Sequence, residues 1–503
     1  MKRRAALAFV VTAIGCALPA LLVTYPPLTD LPQHVAQVAQ VMRGEQMPGQ
    51  FVAWWAPNNL VYLPLMLLWW LFAPHRVGAL SVVLMSLIWT SATFALAKYL
   101  RRPAIAAALA SLLFYSGILY WGMLNFVVAW PVFALWWILF DRALEGGRAS
   151  WKAPALLVAG TCLLFWAHVL ALGFAGLSAL ALTVYDWRRA PWQAHAVRLA
   201  SFIPAAALAI LWAFQLRADR LASGFPVGAL WTHSLLDRGR ILLTQTASNG
   251  DTFETVIVFA ALLIWVLGGL LARRAPIRRG APPWHGRLLV TGLVAALVAL
   301  TCPDKYFNTI WFAVRWLPWA GVFLLLASPG PPLRKPLAFA FGLVVVVYFG
   351  LTTSLNWVLF ERTNLTGLSA AIQAVPIRSR VLGLDLLKVS VSSDAIPASL
   401  HVVAYAKVER GATINFDFSE HQTGLVRGPV TRSPWTFGLE WFPERLRPTD
   451  LQYFEYVLVG SPDPDSVDAT FAAWLEPVTH SGVWRLYRSK VFDHRLRPIG
   501  PSP

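Results

Sequence analysis

Apolar stretches close to the length of a membrane crossing recur along the whole first part of the chain, separated by short polar or basic links. A helix needs roughly 20 mainly apolar residues to cross the hydrocarbon core, within a range of about 17–25. Eleven stretches qualify or fall just short: 5–23, 77–97, 103–121, 126–140, 154–168, 169–185, 199–216, 253–271, 288–302, 316–329 and 337–355. The pair 154–168 and 169–185 reads either as two spans or as one bent element. Such a pattern predicts a polytopic α-helical bundle in lipid, where each segment must satisfy its own backbone polar groups. Composition agrees, with 57% hydrophobic and 13% charged residues, against about 45–50% and 25% in soluble domains.

The formal charge of +17 would suit a nucleic-acid binder if it were gathered on one soluble face. Instead it follows the links. Residues 1–355 hold 27 Lys and Arg against 10 Asp and Glu, whereas residues 356–503 hold 15 of each. Of the 27, 19 lie on alternate links: Lys2–Arg4, Lys98–Arg102, Arg142–Lys152, Arg188–Arg198, Arg273–Arg287 and Arg334–Lys335. That bias is the positive-inside signature. It predicts a cytoplasmic N-terminus and, after eleven crossings, a C-terminal part on the periplasmic or extracytoplasmic face. Nucleic acid is excluded as a partner. The first span ends in Thr24-Tyr25-Pro26-Pro27 without a small-residue cleavage site, so it reads as a retained anchor. The three cysteines all lie in apolar stretches and give no disulfide framework.

Two domains follow, a membrane domain at 1–355 and an extracytoplasmic tail at 356–503. The first outer loop, 24–76, is long. Leu31–Met42 is amphipathic, and Val61–Ala73 is too short to span and ends near Trp69-Trp70. Both are expected to lie in the headgroup region as interfacial helices. In the tail, Arg380–Leu387, Phe454–Val459 and Val483–Tyr487 read as strands and Ser466–Leu475 as a helix, a small α/β domain.

Ionisable residues at membrane depth or just outside it are the first place to look for function. In Pro26-Pro27-Leu28-Thr29-Asp30-Leu31-Pro32-Gln33-His34, Asp30 and His34 are four apart and share a helix face if the helix starts at Asp30. Asp30 could cap that helix. It could also serve with His34 as a general base or as part of a metal site. Asn125 sits in a tight turn between spans, where a cap is the competing role. His168 lies among aromatics at the end of a span, a setting that also suits a packed core histidine. Asp304 and Lys305 open a segment that runs to Arg315. An arginine on the less basic face either snorkels to lipid phosphate or clamps an anion, because guanidinium matches phosphate oxygens in a planar fork. In the tail, His401 and His421 have no partner visible along the chain.

The order of these pieces resembles the GT-C superfamily of polyprenyl-phosphate-dependent glycosyltransferases, in particular a bacterial subgroup. The residues that carry the resemblance are Pro26–His34, Trp121-Gly122-Met123-Leu124-Asn125-Phe126, Ala167-His168-Val169-Leu170-Ala171 and Arg315-Trp316-Leu317-Pro318, with the acid–helix–amphipathic-helix order of the first loop. The resemblance implies inverting transfer of a sugar from a polyprenyl-phosphate carrier to an envelope glycan, lipid or protein, and a bacterial inner-membrane location. Asp30 and His34 would be catalytic, Arg315 and Lys305 would hold the donor phosphate, and Asn125, His168 and Asp304 would line the cavity. Many relatives carry a second acid that this loop lacks, since Leu31 and Gln33 stand beside Asp30. No cofactor is therefore expected, and arginine-based charge stabilisation is favoured over a divalent metal. Two other classes compete with the enzyme: a transporter or flippase for a lipid-linked solute, and a membrane scaffold acting through its tail.

Overall fold

The computed structural model describes residues 2–46, 49–143, 152–222, 228–247, 252–271, 283–306, 309–388, 396–420, 424–428, 433–479 and 482–496. Arg148, Arg273, Arg274, Arg278, Arg279 and His421 lie outside them. Seven helices among the described residues are long and apolar enough to cross a membrane: Arg3–Leu21, Pro74–Tyr99, Leu124–Arg142, Val169–Asp186, Trp192–Leu221, Phe253–Leu271 and Lys335–Asn364. Five shorter apolar elements join them, Tyr62–Leu71, Ala104–Tyr120, Lys152–Ala167, Gly286–Thr301 and Val314–Ala327. Setting aside Tyr62–Leu71, they fall on the eleven stretches read from the sequence. The ambiguous pair is two helices, separated at His168, whose backbone is extended.

The outward faces of these helices are apolar. Phe253–Leu271 exposes Leu263, Ile264, Leu267, Leu270 and Leu271, and Lys335–Asn364 exposes Leu337, Val344, Val347, Leu351 and Leu355. Surfaces of that size are costly in water and match acyl chains. Inside the bundle, small residues let backbones approach. A Cβ added at Gly350 would meet the Gly15 backbone at 3.0 Å, so the first and last spans are in near-backbone contact. The basic links are partly structural. Arg102 is buried and donates to the carbonyls of Leu326, Ala327 and Ser328, closing the C-terminal end of Leu317–Ala327. Arg287 pairs with Asp186 at 2.9 Å and with Asp141.

The tail carries a five-stranded sheet in the order Thr413–Ile414, Arg380–Asp385, Tyr456–Gly460, Trp484–Ser489, Leu475–Pro477. The first three strands are parallel and the rest antiparallel. The helix expected over Ser466–Leu475 is Pro464–Phe471, and Leu475 instead opens the strand Leu475–Pro477. The last span continues as one helix to Asn364, past the boundary drawn at 355.

Leu31–Met42 forms as a helix, but not in a headgroup environment. Every residue from Leu31 to Gln40 is buried. Its polar face meets the tail: the Gln33 amide donates to the Phe416 carbonyl at 2.8 Å, and the Gln37 side-chain oxygen accepts from the Leu425 N–H at 2.6 Å. Phe51–Val52 of the same loop pairs antiparallel with Val426–Arg427. Amphipathic periodicity reported a two-faced helix correctly, and the second face is protein. Tyr62–Leu71, by contrast, leaves Leu63, Leu67, Trp70 and Leu71 exposed.

Candidate functional site

Asp30 is held by the turn that joins two spans. The Thr29 N–H donates to the Tyr120 carbonyl at 3.0 Å and the Asp30 N–H to the Trp121 carbonyl at 3.2 Å. Gly122 completes that turn with φ 74°, and a Cβ there would lie 2.6 Å from the Asp30 nitrogen. Only glycine meets both requirements. Asp30 occupies the N-cap of Leu31–Met42, yet its side chain makes no capping hydrogen bond. The carboxylate instead turns toward the tail. Its Oδ1 lies 3.0 Å from Nδ1 of His401, and 21% of the side chain stays accessible.

His401 is buried and stacks on Phe416, with ring centroids 4.8 Å apart. Phe418 stands edge-on to both His401 and His34. His34 is fully committed. Its Nδ1 is 2.9 Å from the Tyr62 hydroxyl, and the ring also bonds to the Gly122 carbonyl. Burial pushes the imidazole down to about 4, against the opposing pull of Asp30. His34 is therefore neutral near pH 7, with its ring engaged by Tyr62 and the Gly122 turn.

Arg315 lies in the single 3-10 turn Val314–Trp316, just before the helix Leu317–Ala327. It is 7% exposed. Its guanidinium donates to the Trp311 carbonyl at 3.3 Å and the Ile310 carbonyl at 2.9 Å. It makes no ion pair among the described residues. Its neighbour Trp316 packs edge-on to Phe126, and the Trp311 ring centroid lies 5.7 Å from that of Trp121, in the turn that holds Asp30. His168 is buried, accepts from the Leu170 N–H at 3.1 Å, and packs edge-on to Phe126.

Asp30, His34, Arg315 and His168 thus meet around one end of the bundle, with His401 joining from the tail. The remaining candidates stand differently. Asn125 is in the first turn of Leu124–Arg142, and its side-chain oxygen accepts from the Phe126 N–H at 2.9 Å, a local bond beside the Asp30 turn. Asp304 is spent on structure. It pairs with Arg238 at 3.0 Å and with His233 at 3.2 Å, and accepts the N–H groups of Thr232 and His233. Burial pushes its carboxyl up, but those backbone donors and Arg238 outweigh it and hold it below the usual value. Lys305 lies in the short ribbon Lys305–Tyr306, paired with Ala229–Leu230, and no contact among the described residues ties it to Arg315. Sequence reasoning named His401 but gave it no role, because its partner is in the first loop.

Among the described residues no group of three or more His, Cys, Asp or Glu side chains is placed to hold a metal ion. Asp30 and His401 would supply two donors.

The site is thus a partly accessible acid beside a buried histidine, with an arginine that makes no ion pair among the described residues, at one end of a multi-spanning bundle that also carries a small α/β domain. The chain shares its fold with a solved membrane protein. It superposes on the crystal structure of ArnT from Cupriavidus metallidurans bound to undecaprenyl phosphate with a TM-score of 0.53, at 14% identity and over 98% of both chains. The apo state of that protein matches with a TM-score of 0.47 at 13% identity, over 97% of both chains. The arabinofuranosyltransferase AftD from mycobacteria matches with a TM-score of 0.49 at 15% identity, over 98% of this chain and 40% of that one. No protein-family model and no curated protein matches the sequence.

Proposed function

We propose that this protein is a membrane glycosyltransferase that takes a sugar from a polyprenyl-phosphate donor and transfers it, with inversion, to a hydroxyl or amine of a cell-envelope glycan, lipid or protein. The observation that carries this reading is the convergence of Asp30, His401 and Arg315 at one end of the bundle. The accessible Asp30 carboxylate takes the acceptor proton as the new glycosidic bond forms. The bond from the anomeric carbon to phosphate breaks, and its electron pair leaves with the phosphate. Arg315, pre-oriented by two carbonyls, offers its remaining N–H groups to that leaving oxygen. His401 and His34 are positioning residues: the first holds the carboxylate and the second holds the turn beneath it. The undecaprenyl phosphate in the ArnT crystal structure supports the same lipid class here, and the bias of basic links supports a periplasmic site in the inner membrane. The reaction is written without a metal.

The test is Asp30→Asn in the purified protein, assayed for glycoside formation from a panel of radiolabelled polyprenyl-phosphate sugars and an envelope extract. We expect loss of product with an unchanged melting profile. Full activity would overturn the assignment of the base, and lipid movement without any glycoside would replace the enzyme with a flippase.

A further inference from the structure

Three tryptophans from three separate stretches meet beside this site. Trp121 belongs to the turn that holds Asp30, Trp311 to the link before Arg315, and Trp441 to the tail. The Trp121 ring centroid is 5.7 Å from that of Trp311 and 6.3 Å from that of Trp441, with interplanar angles of 45° and 33°. His233 stacks on Trp311 at 6.4 Å. Trp311 sits in the left-handed region, φ 55°, which a bulky residue adopts only where surrounding structure holds it there.

Two of the three, the central Trp121 and its neighbour Trp311, are each tied through their backbones to one half of the chemistry. The Trp121 carbonyl accepts the Asp30 N–H, and the Trp311 carbonyl accepts from Arg315. In a displacement at an anomeric carbon, the nucleophile approaches from the base side and phosphate departs on the other. The sugar ring must lie between them, and the rings carried by the two anchored backbones are neighbours, with centroids 5.7 Å apart. The C–H face of a sugar ring packs on indole, burying apolar area without stripping its hydroxyls of water. Trp121 also carries a buried indole N–H with no hydrogen-bond partner among the described residues, an unmet donor that a hydroxylated ligand can satisfy. Trp441 remains 37% exposed, so the platform is open on the tail side.

We infer that Trp121, Trp311 and Trp441 form the subsite for the sugar ring of the donor, with the tail supplying Trp441 as its exposed edge. The inference rests on the proposed glycosyltransferase reading and adds where the sugar sits. The experiment measures binding of bare undecaprenyl phosphate, and of the same lipid carrying glucose, galactose or arabinofuranose, to the full chain in nanodiscs. Wild type should prefer at least one sugar-bearing lipid over the bare one by about tenfold. Trp441→Ala should erase that preference while leaving bare-lipid affinity within about twofold, and Trp441→Phe should keep most of it. Equal weakening of bare and sugar-bearing lipid by Trp441→Ala, or a wild type that prefers none of the three sugars, overturns the subsite. Loss of bare-lipid binding in Arg315→Ala alongside an unaltered Trp441→Ala preference would uphold the phosphate reading and reject the sugar platform. A wild type that binds no polyprenyl phosphate removes both.

Discussion

Oδ1 of Asp30, in the first loop, lies 3.0 Å from Nδ1 of His401, in the tail, so the two halves of the chain meet at one carboxylate. A carboxylate that must both accept a proton and point at its substrate benefits from a second group that fixes its torsion. His401→Gln, similar in reach, is expected to lower kcat by about tenfold and His401→Ala by about a hundredfold, with donor KM unchanged, within the usual range for acid–base positioning. Steady-state kinetics on both variants checks this. A rise in KM with constant kcat would make His401 a binding residue instead.

Arg315 is fixed by the Trp311 and Ile310 carbonyls before any ligand arrives. Lysine at this position keeps the charge but loses the planar fork and both carbonyl contacts. Arg315→Lys should therefore retain folding and lose about 10²–10³ in turnover, the cost of removing one pre-oriented charge stabiliser. Single-turnover rates at saturating donor would read this directly, and a near-wild-type rate would remove Arg315 from the leaving-group role.

The pH behaviour of His34 has a defined sign. Its folded value, about 4, lies below the ordinary 6.5, with burial the largest cause. Between those values the unfolded chain binds a proton that the folded chain refuses. Stability is thus fully present above pH 6.5 and declines as pH falls toward 4, by about 3 kcal/mol over the whole window. His34→Gln should flatten that part of the curve. Comparing the melting temperatures of the two proteins from pH 7.5 to 4.5 isolates the contribution, and parallel curves would contradict it.

Gly122 touches the Asp30 backbone and adopts φ 74°. Gly122→Ala combines a left-handed alanine with a Cβ 2.6 Å from a main-chain nitrogen. The expected cost is about 1–3 kcal/mol, with activity falling further than stability because the displaced atoms carry Asp30. Parallel measurement of melting and turnover separates the two effects.

The spans were legible because each is a local property: about 20 apolar residues have one physical destination, and the basic links are read by simple counting. The motif around Asp30 was legible for a similar reason, since Pro26, Pro27 and Pro32 mark a helix entry within nine neighbouring positions. The medium facing Leu31–Met42 was not legible. Periodicity reveals a polar stripe of Gln33, Gln37 and Gln40 but not whether headgroups or a folded tail will satisfy it. Asp304 looked like a site acid because its partners Arg238 and His233 come from a distant link. His401 and Trp441 were silent for the same reason: their meaning lies in contacts with the first loop and with the Trp121 turn, which only tertiary structure creates.

The tail is fastened over the loop helix by a buried charge pair, and this attachment has its own testable consequence. The Lys407 ammonium donates to the Gln40 side-chain oxygen at 2.9 Å and pairs with Asp417, both carboxylate and ammonium being buried. Burial pushes the Asp417 carboxyl up, but Lys407 outweighs it and holds the group ionised below its ordinary value. Removing one partner leaves the other charge stranded in a low-dielectric setting, a loss of about 3–5 kcal/mol. Since Arg43 also donates to the Lys407 carbonyl, the damage falls on the seam between Leu31–Met42 and the helix Ala404–Arg410. Asp417→Asn should therefore make the tail more susceptible to limited proteolysis while the membrane helices stay protected. The double replacement Lys407→Met, Asp417→Leu should recover much of the protection, because it strands no charge. Equal protease resistance of Asp417→Asn and wild type would mean that the sheet pairing of Phe51–Val52 with Val426–Arg427 and the glutamine contacts hold the tail down without the ion pair.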